Sequence, residues 1–270
     1  MSGNKYTLTV NIATSSLNAL KAANYKLCIA KDVNGKPNVV FKGGNKVLNH
    51  NEFVFEDLFR VSGTNKFEDG ALVKASTDQV PILGGQEVIL SPAGTFGPVS
   101  GPVDPTKPFT VHNRYTEFIN FGVEARVGNE YNYIYVSPYP QGSGDVILQP
   151  KKKFLIWFDQ TLDTETMFSR SVTNAIELDF TSTSEHEISF SAPKDKPAKG
   201  VWRMGPLPVL GQTYNPKTNT LSLDPAFLPD MDEIVRITEQ WKLEALQNDV
   251  PRAITANLNG DAQNIEGDSE

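Results

Sequence analysis

Five large apolar side chains in a row, Phe154-Leu155-Ile156-Trp157-Phe158, closed by Asp159, constrain this chain more than any other stretch. A strand with no polar side has no face to give to water, so it must lie between two layers. Two alternating segments follow. Ile176, Leu178 and Phe180 are interleaved with Glu177 and Asp179, and Ile188 and Phe190 with Ser189 and Ser191. Residues 181–187 between them hold no apolar side chain. Period-two alternation on both sides of a polar turn predicts an antiparallel hairpin over residues 175–192, with one apolar and one wet face.

The rest of the chain reads in the same style. Tyr6, Leu8, Val10 and Ile12 alternate with Thr7, Thr9 and Asn11 as in a half-buried strand. Ser15 and Ser16 offer caps for a short helix over residues 17–22. Asn34-Gly35 is a type I′ turn signal between a strand over 25–33 and a return over 38–42. Further short strands are expected over 52–61, 70–76, 87–90, 109–113, 117–123, 129–137, 201–204 and 220–223. Pro and Gly make 92–108 an irregular loop. Asp230, with Glu233 three residues on, opens a predicted helix that runs to about residue 247 through Ile234, Ile237, Trp241 and Ala245. The fold class expected is all-β and sandwich-like, built of antiparallel strands with a few short helices and one C-terminal helix.

Residues 138–150 are the expected domain boundary. They divide a β-rich N-terminal half, 1–145, from a β-rich C-terminal half with the terminal helix, 146–250. Strand, short helix and strand recur in both halves, at 6–29 and 154–180, which suggests a duplication. Residues 251–270 have no aromatic side chain and a charge of −3, from Arg252 and four acids (+1 − 4). They are expected to be a disordered acidic tail with Arg252 open to processing.

Composition removes several classes. At 39% hydrophobic and 21% charged, the 270 residues are rich enough in apolar side chains for a packed core. A net charge of −7, with basic clusters only at 151–153 and 194–199, argues against nucleic acid as partner. No apolar run approaches the ~18 residues that a membrane-spanning helix requires. The start, Met1-Ser2-Gly3-Asn4-Lys5, has no signal-peptide apolar region, so cytoplasmic synthesis is expected. Cys28 is the one cysteine, and an internal disulfide is ruled out.

No motif carries chemistry by itself. Cys28 lies inside a predicted strand with no activating neighbour and reads as a buried structural thiol. His50, His112 and His186 are far apart and lack zinc-site spacing, so neither a metal nor a cofactor is expected. Asp159, Asp163, Glu165, Glu177 and Asp179 cluster in sequence, and two facing carboxylates would suffice for a glycosidase. The same acids also read as a solvated face. Tyr131, Tyr133 and Tyr135 form a stripe on one strand face, suited to sugar stacking or to a membrane interface, or else to an aromatic ladder over a sheet. The 175–192 hairpin, with Ile176, Leu178, Phe180, Ile188 and Phe190, has the composition of a membrane-insertion hairpin or of an ordinary sandwich hairpin.

Three blocks carry a family resemblance. Residues 25–35, Tyr-Lys-Leu-Cys-Ile-Ala-Lys-Asp-Val-Asn-Gly, continue into Asn38-Val39-Val40-Phe41. Phe154 to Asp159 with Thr166-Met167-Phe168-Ser169 form the second block, and Ile176-Glu177-Leu178-Asp179-Phe180-Thr181 the third. Together they resemble β-rich proteins of fungal fruiting bodies, and among these the flammutoxin type of mushroom cytolysin. The resemblance spans most of residues 5–204 and carries no functional residue over. It implies a protein that docks on animal cell membranes, assembles into homo-oligomeric rings and opens β-pores, with a C-terminal piece removed on activation. Such a protein would be a monomer or dimer in solution, with membrane lipid or a glycan as partner, and would act extracellularly. The expected function is therefore a pore-forming cytolysin (a toxin causing hemolysis). A soluble lectin or storage-type glycan-binding protein stands as the alternative, and a carbohydrate-active enzyme behind it.

Overall fold

The computed structural model describes residues 3–207, 212–215 and 220–223. The chain divides into two units, residues 1–207 and 208–270. The expected terminal helix over 230–247, the acidic tail and Arg252 lie outside the described residues. Of the second unit, β15 (Gln212–Asn215) and β16 (Thr220–Leu223) are described, an antiparallel pair with Gln212 opposite Leu223.

The first unit is all-β, with one α-helix among the described residues. Its largest sheet joins β14 (Val201–Met204), β13 (Glu185–Ser191), β1 (Lys5–Ile12), β4 (His50–Thr64), β8 (Asn120–Val127) and β9 (Glu130–Val136) in that order, with β5 (Val80–Ile82) on the far end of β4. A four-stranded sheet runs β12 (Ile176–Asp179), β11 (Pro150–Asp159), β2 (Lys26–Val33), β3 (Lys42–Gly44). A third sheet runs β10 (Gly144–Leu148), β7 (Phe109–Asn113), β6 (Glu87–Leu90). Most neighbours are antiparallel; β1–β13 and β6–β7 are parallel.

One core joins all three sheets. Phe55 of β4 packs on Phe154 of β11 with ring centroids 4.6 Å apart, and Phe154 meets Phe180 edge-on at 5.3 Å. Tyr6 of β1 reaches the same Phe180 at 5.6 Å. Phe59 of β4 contacts Phe109 of β7 at 6.3 Å. Alternation explains this convergence: Tyr6, Leu8, Val10 and Ile12 are all buried, and their polar neighbours are not. Burial of each such side chain contributes about 1.5–3 kcal/mol.

The doubly apolar reading of β11 holds. Phe154 and Ile156 enter the main core, while Trp157 turns to the other side, against Cys28, Ala30, Val40, Leu162 and Phe168. Cys28 is fully buried there, and burial pushes its thiol up to about 12, which suits a structural thiol.

A bulge in β4, between Glu56 and Phe59, sets Asp57 beside the buried Lys31 of β2. Lys31 Nζ lies 3.4 Å from Asp57 Oδ1 and 4.5 Å from the centre of the Phe154 ring. Tyr6 donates its hydroxyl to Asp57 Oδ2 at 2.6 Å. Burial lowers the Lys31 pKa, against the pull of Asp57.

Four expectations need correction. The 175–192 segment is not a hairpin: β12 pairs with β11, Phe154 opposite Leu178, and β13 pairs in parallel with β1, Val10 opposite Ile188. Residues 180–184 therefore step from one sheet to the other. Period two fixes which face a residue takes but not which strand it meets. The apolar side chains do point inward: Leu178, Phe180, Ile188 and Phe190 are buried, and Ile176 packs on the same core, but Ser189 and Ser191, expected on a wet face, are buried too. The boundary at 138–150 is not one, because β11 pairs with β2 and β13 with β1 across it. The proposed repeat does not survive either, since β1 and β2 lie in different sheets while β11 and β12 share one. The short helix, α1 (Thr14–Ala22), has no side-chain cap. Ser16 instead bonds both the carbonyl and the amide of Ala192, tying the helix to the end of β13.

The register makes a direct prediction. Leu178→Ala should cost about 2–5 kcal/mol in a denaturant titration. Glu177 is exposed and pairs with Lys153 at 3.4 Å, so Glu177→Ala should stay within about 0.5 kcal/mol. Equal losses would contradict the assignment of faces.

Candidate functional site

At one end of the sandwich the last residues of β11 and β13 meet, and there the surface is hollowed into an open cup of about 210 Å³. Tyr25, Phe158 and Phe190 supply its aromatic wall. The wall is braced from behind by Trp202 of β14, which stacks on Phe158 at 5.4 Å and tilts against Phe190 at 4.7 Å. Gln160, Thr161, Arg170, Thr173 and Asn174 supply the polar rim, with Pro197 and Ala198 closing the far side.

The rim is held by local hydrogen bonds. Asp159 ends β11 and forms an Asx-turn, its Oδ1 accepting from Thr161 N at 2.7 Å, Thr161 Oγ1 at 2.8 Å and Leu162 N at 3.2 Å. Its Oδ2 takes Arg170 Nη2 at 2.7 Å. Burial works to raise the Asp159 pKa, but the Thr161 bonds and the Arg170 charge outweigh it and hold the carboxyl below its ordinary value. Gln160 donates to the Ala23 carbonyl at 2.8 Å. Asn174 adopts a left-handed φ of 52°, donates to Ala198 O at 3.0 Å and accepts Trp202 Nε1 at 3.0 Å. A non-glycine residue in that region costs free energy and is held by its surroundings. The result is an aromatic wall facing fixed amide, hydroxyl and guanidinium groups, with the Arg170 charge cancelled by Asp159. The volume is below the ~300–1,000 Å³ of drug-sized pockets and suits one small polar ring.

A second, shallower hollow of about 460 Å³ lies beside the start of β8, walled by Tyr115 and Phe118. Phe118 and the neighbouring Tyr139 are 78% and 76% exposed. An Ile119–Gln141 bridge brings their two loops side by side.

The tyrosine stripe is corrected. Tyr133 and Tyr135 are buried, and Tyr131 is half-buried under Arg60, whose guanidinium sits 3.8 Å over its ring. A bulge opposite Val123–Glu124 breaks the period, so Tyr135 enters the main core while Tyr133 packs on the other side with Val39, Val73, Val136 and Met167. Tyr133 lies over Gly122, where a Cβ would come within 2.7 Å of the ring, and its hydroxyl bonds Ser62 Oγ at 2.8 Å. This is the ladder alternative. Neither lipid nor glycan reaches Tyr133 or Tyr135 in this conformation.

The five acids are not brought together across a cleft. Asp159 is spent on the cup rim, Asp163 pairs with Lys26 at 2.7 Å, and Glu177 and Asp179 flank Lys153 on the exposed face. Glu165 accepts the Tyr133 amide. Among the histidines, His50 bonds Asn11, His186 packs edge-on to Phe180, and His112 is clamped between Asp145 and Glu87. The Asp145 and Glu87 hydrogen bonds raise the His112 pKa. Among the described residues no three His, Cys, Asp or Glu side chains form a group able to hold a metal ion.

Sequence reasoning missed the cup because its residues come from five separate segments. One local signal was present: Asp159 followed by Thr161, which marks a sharp turn after the apolar run. Comparison with known proteins brings no relative to it: no family model, no curated protein and no solved structure matches the chain.

The two tyrosine environments differ in a testable way. Tyr133→Ala should lower the melting temperature by several degrees, since it empties a packed site and orphans Ser62. Tyr139→Ala, at an exposed site, should leave the melt unchanged.

Proposed function

We propose that the protein is a glycan-binding protein that takes a neutral sugar ring in the cup against Tyr25 and Phe158, with the buried Phe190 packed behind them. The observation that carries this reading is the pairing of an aromatic wall with a fixed, charge-balanced polar rim. Sugar rings present apolar C–H faces and a circle of hydroxyls. The faces stack on aromatic rings, and the hydroxyls exchange hydrogen bonds with amide, hydroxyl and guanidinium groups. The Asp159–Arg170 pair at 2.7 Å offers donors and acceptors without net charge, which favours an uncharged polyol over a phosphate or carboxylate.

A second reading has its own support. The exposed Phe118 and Tyr139 are amphipathic anchors of the kind stable at a bilayer interface, and the resemblance to mushroom cytolysins points the same way. Docking there is simple. A pore asks for more: segments now paired in different sheets, β12 and β13 among them, would have to leave their partners and close a barrel in lipid.

Calorimetric titration with a panel of neutral monosaccharides separates the readings when run beside dye release from phosphatidylcholine–sterol vesicles. The glycan reading predicts saturable binding of at least one sugar, weakened about 10–100-fold by Arg170→Ala through loss of one charged hydrogen bond, and no leakage. Leakage abolished by Phe118→Ala with Tyr139→Ala, without sugar binding, would overturn it in favour of the cytolysin.

A further inference from the structure

The outer face of the seven-stranded sheet holds a carboxylate that the cup does not use. Arg60 of β4, Glu124 of β8 and Tyr133 of β9 stand in one cross-strand row. Glu124 is 4% exposed. Its Oε1 accepts one long bond from Gln79 Nε2 at 3.3 Å, and its Oε2 has no partner. Arg60 does not close on it, because its guanidinium is stacked on Tyr131. A buried carboxylate left half-bonded beside a diverted cation calls for an explanation.

The row is roofed by two segments. Residues 65–79 leave β4 and return to β5, and residues 163–168 run beside them. Gly70 N donates to Met167 O at 2.8 Å, Val73 N to Glu165 O at 3.0 Å and Met167 N to Ala71 O at 2.9 Å. Val73 and Met167 bury their side chains on Tyr133 and Val136. Glu165 holds the two together in a left-handed φ of 64°, and its Oε1 accepts the Tyr133 amide at 3.1 Å where the bulge disturbs the ladder. The covered carboxylate of Glu124 thus meets a second one, Glu165, carried by the roof itself on a strained backbone.

We propose that residues 65–79 and 163–168 form a proton-gated cover over the Arg60–Glu124–Tyr133 row, closed while Glu124 carries a proton and loosened as it ionises. The groups facing Glu124 are Arg60 from β4, Tyr133 from β9, Glu165 from the 163–168 segment and the neutral Gln79 from the other. Burial first, and Glu165 next, raise its pKa from 4.5 to about 7, with Arg60 opposing them. The closed state therefore binds a proton that the opened state gives up between these values. Closure is most stable in acid, weakens as pH rises from about 4.5 to about 7, and levels off above. Opening uncovers Tyr133 and Glu124, which the closed protein buries, beside the half-buried Tyr131 and Arg60.

Hydrogen–deuterium exchange of the full chain, corrected for intrinsic rates and run from pH 4.5 to 9, tests this. Protection of peptides covering 65–79 and 163–168 should fall by up to about tenfold per pH unit across the window, while β1 peptides change less. Glu124→Gln should make the protection independent of pH, and Glu165→Gln should move the window to lower pH by removing the repulsion. A flat wild-type profile, or one that Glu124→Gln leaves intact, would overturn the proposal. Should the Glu124→Gln variant fail to fold, an unshifted window in Glu165→Gln overturns it equally.

Discussion

Phe154 is the contact on which the first unit depends. It lies in the middle of β11, one ring-width from Phe55 of the large sheet and edge-on to Phe180, with the ammonium of Lys31 4.5 Å from its ring centre. Through Phe55 it reaches Phe41 at 5.4 Å, and through Phe180 it reaches Tyr6. Strands β1, β4 and β11 therefore share one aromatic junction, which Lys31 of β2 also touches, although β11 follows the others by more than 80 residues. Interiors pack at crystal-like density, so a shift at this point is felt in every strand that touches it. The buried Lys31–Asp57 pair beside it adds directional constraint to an otherwise non-directional contact, and its two charges stay satisfied only while the β4 bulge keeps its shape.

The candidate site follows from the same arrangement. Phe158 is four residues beyond Phe154 on β11 and so lies on the same face of that strand. Phe190 ends β13 in the opposing sheet, and the two rings meet at 4.7 Å. The cup is the place where the junction runs out to the surface. The turn at Asp159 and the strained Asn174 shape its rim. The covered Glu124 row lies on the other side of the large sheet, so the two features can change independently.

Much of this was legible in the sequence, and the limits have physical causes. Alternation located the inward apolar side chains of β1, β12 and β13, but it did not show that Ser189 and Ser191 on the other face of β13 are covered as well. The five-residue apolar run announced a segment with no wet face, and no residue of β11 from 154 to 158 is exposed, although Lys153 before it is. Partner choice was not legible. Residues 181–187 look like a hairpin turn, yet β12 and β13 separate there, Leu178 lying opposite Phe154 of β11 and Ile188 opposite Val10 of β1. Tyr131, Tyr133 and Tyr135 looked like one stripe because a one-residue bulge in β9 leaves no mark in composition. The apparent boundary at 138–150 is a short loop followed by β10, and strand pairing that sequence alone does not reveal crosses it. The cup joins residues more than 100 positions apart, Tyr25 with Phe158, and such proximity is decided by topology.

The central claim is that residues 3–207 fold as one interleaved unit in which neither half completes a sheet alone. Circular dichroism and amide NMR of a chain ending at residue 145 test it most directly. That fragment keeps β1, β2, β4, β8 and β9 but lacks β11 and β13, the strands that cover Phe55 and pair with β1 and β2. Interleaving predicts an unfolded spectrum with no cooperative thermal transition. A dispersed spectrum and a sharp melt would contradict it, and would restore two halves that fold independently.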